Sequence, residues 1–178
     1  MTEEPKEKWL NYLAMTTIIF AVCATLSTFK GAGYSTRSVL SQSQASNQWA
    51  YYQSKSIKGY LYENQKESLE LELKKSKGNM SKALAGDYEK KLAGYIQKIK
   101  KYDDEKAEIT KEAKKLEAQR DDAQRHSGIF GMAVIFLQIA ILLSSIAALM
   151  KKKYVWIAGV ASGAVGVIYF VNGFLLFF

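Results

Sequence analysis

The run GIFGMAVIFLQIAILLSSIAALMKKKYVWIAGVASGAVGVIYFVNGFLLFF, residues 128–178, decides the architecture. It holds two uncharged apolar stretches, 128–150 and 154–178, joined by Lys151-Lys152-Lys153. Each is close to the roughly 20 residues that an α-helix needs to cross a hydrocarbon core. A third stretch of the same kind lies at 9–29, and none of the three contains Asp, Glu, Lys, Arg or His. The chain is therefore expected to be an all-α membrane protein with three transmembrane helices. Cys23, the single cysteine, falls inside the first stretch and reads as a small packing residue. That stretch exceeds a signal-peptide core and no small-x-small cleavage site follows it, so it is expected to stay as an anchor.

Between these stretches lies a different material. Residues 30–127 carry 20 Lys or Arg against 14 Asp or Glu, which accounts for most of the formal +8. From Ala85 the sequence keeps alternating steps of three and four: Tyr88, Leu92, Tyr95, Ile99, Tyr102, Lys106, Ile109, Ala113, Leu116, Arg120, Ala123. A repeat of seven predicts a coiled-coil seam winding left-handed around a partner helix. The nearest partner is the preceding segment, about 36–77, which ends in a lysine-rich turn and Gly78-Asn79. The glycines of Lys30-Gly31-Ala32-Gly33 predict a break after the first span, with Ser35 or Thr36 capping a new helix.

The expected fold is then three membrane helices with a long antiparallel coiled-coil hairpin inserted between the first and second, projecting on the order of 60 Å. Its parts are a helical tail at 1–8, spans at 9–29, 128–150 and 154–178, the hairpin at 30–127 turning near 78–79, and a basic loop at 151–153. A short loop of three lysines is expected on the cytoplasmic side. The N-terminus would share that side, and the hairpin would be periplasmic.

Small residues recur every fourth position in each span: Thr17, Ala21 and Thr25; Ala140, Ser144 and Ala148; Gly159 with Gly163 and Ser162 with Gly166. Such stripes let helix backbones approach closely. A two-helix hairpin buries one stripe per helix, so copies packing side by side as a homo-oligomer would gain stability. Chemical machinery is not indicated: there is no Walker loop, zinc pattern or nucleophile elbow. His126 lacks a second histidine or a cysteine nearby, and Asn172 is the one strongly polar side chain of the third span. No catalytic residue, cofactor or metal is expected, and the chain reads as a non-enzyme.

The stretch Ala45-Ser46-Asn47-Gln48-Trp49-Ala50-Tyr51-Tyr52-Gln53-Ser54-Lys55-Ser56-Ile57-Lys58 resembles the signature of an uncharacterised bacterial membrane family carrying a domain of unknown function. The resemblance implies a bacterial inner membrane, an N-terminal anchor, a charged helical middle and two C-terminal spans, with no assigned activity. By position, Ala45, Trp49, Tyr52 and Ser56 share one helical face. Trp49 and Tyr52 belong either to the hairpin seam or to a recognition surface for lipid headgroups or a partner protein. Two functions stay open: a structural or scaffolding homo-oligomer, and an oligomeric conduit for ions, small solutes or lipid. The partners expected are other copies of the chain, membrane lipid and an unidentified protein; the mixed charge pattern makes nucleic acid an unlikely one.

Overall fold

The computed structural model describes residues 8–76 and 80–177. They form three helices, α1 (Lys8–Lys75), α2 (Lys82–Met150) and α3 (Lys153–Leu175). Of the expected N-terminal tail at 1–8, residues 1–7 lie outside the described residues and Lys8 opens α1; the expected turn at Gly78-Asn79 also lies outside them.

The inserted hairpin is corrected by this element order. Among the described residues no separate pair of helices stands between the first and second spans. α1 is one helix of 68 residues that includes the first apolar stretch and everything up to Lys75, and α2 is one helix of 69 residues that includes the second. Gly31 and Gly33 do not break α1, and Ser35 and Thr36 cap nothing; the Thr36 hydroxyl donates to Ala32 O at 3.0 Å within the same helix. The reason is packing. From Phe20 to Ser76 the positions reached by alternating steps of four and three, among them Ala24, Ser27, Gly31, Tyr34, Ser38 and Ser41, are all buried or half-buried. A glycine costs a helix about 1 kcal/mol relative to alanine, too little to interrupt a face packed on both sides of it.

Gly31 also has a use in the helical form. A Cβ there would meet Phe130 Cβ at 3.1 Å, so its bareness permits close approach of α1 to α2. The Ser127 hydroxyl donates to Gly31 O across that contact at 3.1 Å.

Two compact units are built from these helices: residues up to Leu40 together with those from Gln119 onward, and Ser41–Ala118. In the first, α1, α2 and α3 share a core of Phe20, Ala24, Ala133, Leu137 and Ala140, with Cys23, Ile141, Val167, Tyr169 and Phe170 packed against it. The opposite faces carry exposed Met15, Ile18, Val22, Phe29, Leu142, Leu149 and Ile157. So much outward apolar surface on helices of this length is the pattern of a bundle solvated by lipid. All three helices are long and apolar enough to cross a membrane; the chain is a multi-pass membrane protein.

α2 ends in a tight reversal. Lys151 takes a left-handed conformation at φ 50°, and Lys152 N–H donates back to Ala147 O at 3.2 Å, the long bond of a Schellman-type helix end. Lys153, expected in the loop, is the first residue of α3.

The second unit is the antiparallel pairing of α1 and α2 outside the apolar stretches. Its direction follows from its contacts: Trp49 reaches Glu117, Lys55 reaches Glu105, and Tyr62 stacks on Tyr102 and meets Tyr95 at a tilt.

Candidate functional site

In the membrane unit, the glycines of α3 receive large side chains from the other two helices. A Cβ on Gly163 would run into the ring of Phe20, one on Gly166 would lie 2.7 Å from Leu137 Cγ, and one on Gly173 would lie 2.6 Å from Phe130 Cε1. Gly159 sits against Ala140 O and Leu143 Cβ, both at 3.2 Å from where its Cβ would be. The Ser162 hydroxyl donates to Phe136 O at 3.0 Å. Ala140 and Ser144 are fully buried, whereas Ala148 is exposed and Ala147 holds the buried position. On α1, Thr17 is half-buried and Ala21 and Thr25 are exposed; the buried face runs through Leu13, Phe20, Ala24 and Ser27. The fit is therefore one of aromatic and leucine knobs on α1 and α2 entering bare stretches of α3, more than of small residues facing each other.

At one end of this unit lies a cluster that sequence reasoning did not assemble. His126 stacks on Tyr34 with ring centroids 4.4 Å apart, and its Nδ1 lies 2.7 Å from Gly173 O. Beside it Phe130, fully buried, makes edge contacts with Phe170 and Phe174. Asn172 is fully buried too, and it closes α3: its backbone carbonyl accepts from Leu176 N–H, and its side-chain oxygen accepts from Phe177 N–H, both at 2.8 Å. Both groups thus hold backbone: the histidine ring fastens α2 to α3, and Asn172 closes the end of α3, its carbonyl, one of the acceptors a helix C-terminus leaves open, taken by Leu176 N–H and its side chain pairing Phe177 N–H. The three-and-four spacing marks Tyr34 and Phe130 as interior positions of their own helices, but nothing in it pairs them with His126 or Gly173.

The extramembrane unit pairs differently. On α2 each expected position from Ala85 to Arg120 is buried or half-buried, with Ile109, Ala113 and Leu116 the most enclosed. Opposite them α1 supplies few large apolar groups. Trp49 donates its indole N–H to Glu117 at 2.9 Å and meets Tyr52 edge-on. Tyr52 is half-buried, as are Tyr95, Ile99 and Tyr102. Tyr62 stacks on Tyr102 at 5.9 Å, and Lys98 lies over the Tyr62 ring while donating to its hydroxyl at 3.2 Å.

At the centre of this pairing Lys55 meets Glu105 at 2.7 Å, beneath the rings of Tyr51 and Tyr102. The bond from Glu105, and secondarily the neighbouring Tyr51, holds the Lys55 ammonium above lysine's ordinary pKa. The same contact holds Glu105 below the usual carboxylate range. Lys106 is raised as well, chiefly by Asp103 at 2.7 Å. These charges are engaged with one another, the arrangement of a structural ion pair. Among the described residues no group of three or more His, Cys, Asp or Glu side chains could hold a metal.

With this geometry established, comparison with known proteins assigns the chain. Residues 9–176 match the family described as a domain of unknown function, DUF4337, and the chain belongs to that family. No curated protein and no solved structure matches it.

Proposed function

We propose that this member of the DUF4337 family is a non-catalytic structural protein of the bacterial inner membrane, a scaffold assembled from several copies of the chain. The observation that carries the reading is apolar exposure outside the membrane. In the extramembrane unit Ile57 is 69% exposed, Leu61 54% and Leu71 56%. One pair of helices buries one stripe on each, and these side chains lie on a different face. Apolar groups left outward on a long charged unit are what a further helix would cover.

The polar groups between the two helices fit the same role. Trp49 is paired with Glu117, Lys55 with Glu105 and Tyr62 with Lys98. In this reading the Lys151–Lys153 loop and the N-terminus face the cytoplasm, and the paired arms face the periplasm. Lys151 supports that orientation, because it keeps a cation where φ is 50°, a conformation that glycine takes at lower cost. Extraction in mild detergent followed by native mass measurement tests the assembly. A mass of two or more chains is expected, and a strictly single-chain species overturns the proposal.

A further inference from the structure

In the extramembrane unit the two helices turn unlike faces outward. The outer side of α2 is charged with both signs, as in the groove of about 360 Å³ lined by Lys100, Lys101, Asp104 and Glu108. The outer side of α1 is different. A second set of alternating steps of four and three runs from Ser43 through Asn47, Ile57, Leu61 and Asn64 to Leu71, and each position on it is exposed. None is Asp, Glu, Lys or Arg, and the whole of residues 38–54 carries no such residue in a segment otherwise dense with them. Leu61, Asn64, Ser68 and Leu71 of this face line a groove of about 510 Å³ that also reaches Leu69 and Tyr95 of the pairing, with Glu72 and Lys75 among its walls.

We infer that this uncharged face of α1 is where a second copy of the chain docks, α1 against α1 in parallel. The inference rests on the assembly proposed above and names its surface. The orientation follows from continuity: α1 is a single helix that includes the first span, so copies inserted alike in one bilayer point it the same way. Around a rotation axis along the bilayer normal, each residue on a shared face then meets its own counterpart. Any charge there would oppose an identical charge, which destabilises neighbouring helices. The α2 side would set Lys100 against Lys100; the α1 side sets apolar, hydroxyl and amide groups against themselves.

Two of those self-pairings are specific. Asn47 and Asn64 each carry donors and an acceptor, so an amide can bond its own symmetry mate. A polar residue in such a seam fixes register and copy number, at some cost in stability. An anionic lipid surface would seek the lysines and arginines that this face lacks, and a charged protein partner would find its complement on α2.

Cysteine cross-linking of the full-length chain in its native membrane tests the inference. In a Cys23→Ser background, Asn47→Cys, Ser54→Cys and Leu61→Cys are expected to give disulfide-linked dimers on mild oxidation. Their yield should be at least about tenfold above Lys100→Cys and Lys111→Cys, a margin set by proximity raising effective concentration. Equal or greater cross-linking from the α2 positions overturns the inference, as does a product whose mass is not twice the chain's. If native mass gives several chains while the α1 cysteines stay monomeric, this face is excluded and the assembly stands; a single-chain mass removes both. A Leu61→Lys variant that keeps its helical signal but loses the oligomer would support the α1 face, and one that keeps the oligomer unchanged would overturn it.

Discussion

The membrane unit and the extramembrane unit share two helices, α1 and α2, and use the same three-and-four spacing on them with opposite chemistry. In the membrane unit the spacing presents Phe20, Ala24, Ser27 and Gly31 on α1 to Phe130, Leu137 and the glycines of α3, and steric fit decides. In the extramembrane unit it presents Gln48, Tyr52, Lys55 and Tyr62 to Glu105, Tyr102 and Tyr95, and hydrogen bonds, ring stacking and an ion pair decide. The difference follows from the solvent. Lipid offers no hydrophobic drive between helices, so close packing must supply cohesion. Water supplies that drive and also solvates the heads of long amphipathic side chains while their stems pack.

The contrast can be broken most severely in the membrane unit. Phe130→Ala removes a fully buried ring from between Tyr34, Phe170 and Phe174, and an aromatic-to-alanine change of this kind costs about 3–5 kcal/mol. Thermal unfolding followed by circular dichroism in detergent should register it as a large fall in Tm. Gly163→Leu comes next: it overpacks the seat of Phe20 and should cost about 3 kcal/mol, read in the same assay.

The extramembrane unit should respond more mildly. Trp49→Phe keeps an aromatic ring, smaller than the indole, and loses the bond to Glu117; an expected loss of about 1 kcal/mol would appear as a lower denaturant midpoint. Gly86→Ala, at a helical position where an added Cβ meets nothing within 4 Å, should do the reverse of Gly163→Leu and stabilise by about 0.5–1 kcal/mol. If the two glycine variants moved stability in the same direction, the contrast between the units would fail.

The smallest effect concerns pH. The Glu105 carboxyl is lowered by Lys55, so its contribution is present above the ordinary carboxylate pKa and lost as pH falls through the lowered folded-state value. The Lys55 ammonium is raised, so its contribution is present below lysine's ordinary value and lost as pH rises through the raised one. Glu105→Gln should leave the stability of the extramembrane unit less dependent on acidification than in the parent chain, measured by Tm across an acid series.

Legibility differed between the two helices for a physical reason. α2 advertises its spacing through Tyr95, Ile99, Tyr102, Ile109 and Leu116, large groups that stand out among lysines and glutamates. α1 carries the same spacing on Ser27, Gly31, Ser38, Ser41, Ala45 and Gln48, residues whose types give no apolar signal. Their regularity was hidden, and Gly31 with Gly33 read as an interruption. A count of spacing that admitted small residues as interior would have carried α1 through the glycines. The His126 cluster was illegible for another reason: Tyr34, His126 and Gly173 belong to three helices, and nothing local in any of them marks the meeting.

By itself the sequence determined the three membrane spans, because transfer of uncharged apolar helices into lipid depends on composition and length and on little else. Only the tertiary structure decided that the first two spans and the paired segments outside them are single helices, and that Phe20, Leu137 and Phe130 enter the glycines of α3. A glycine's helical cost of about 1 kcal/mol is read locally as a hinge. Whether it becomes one depends on what packs against the turns on either side, and that is a property of the neighbouring helix.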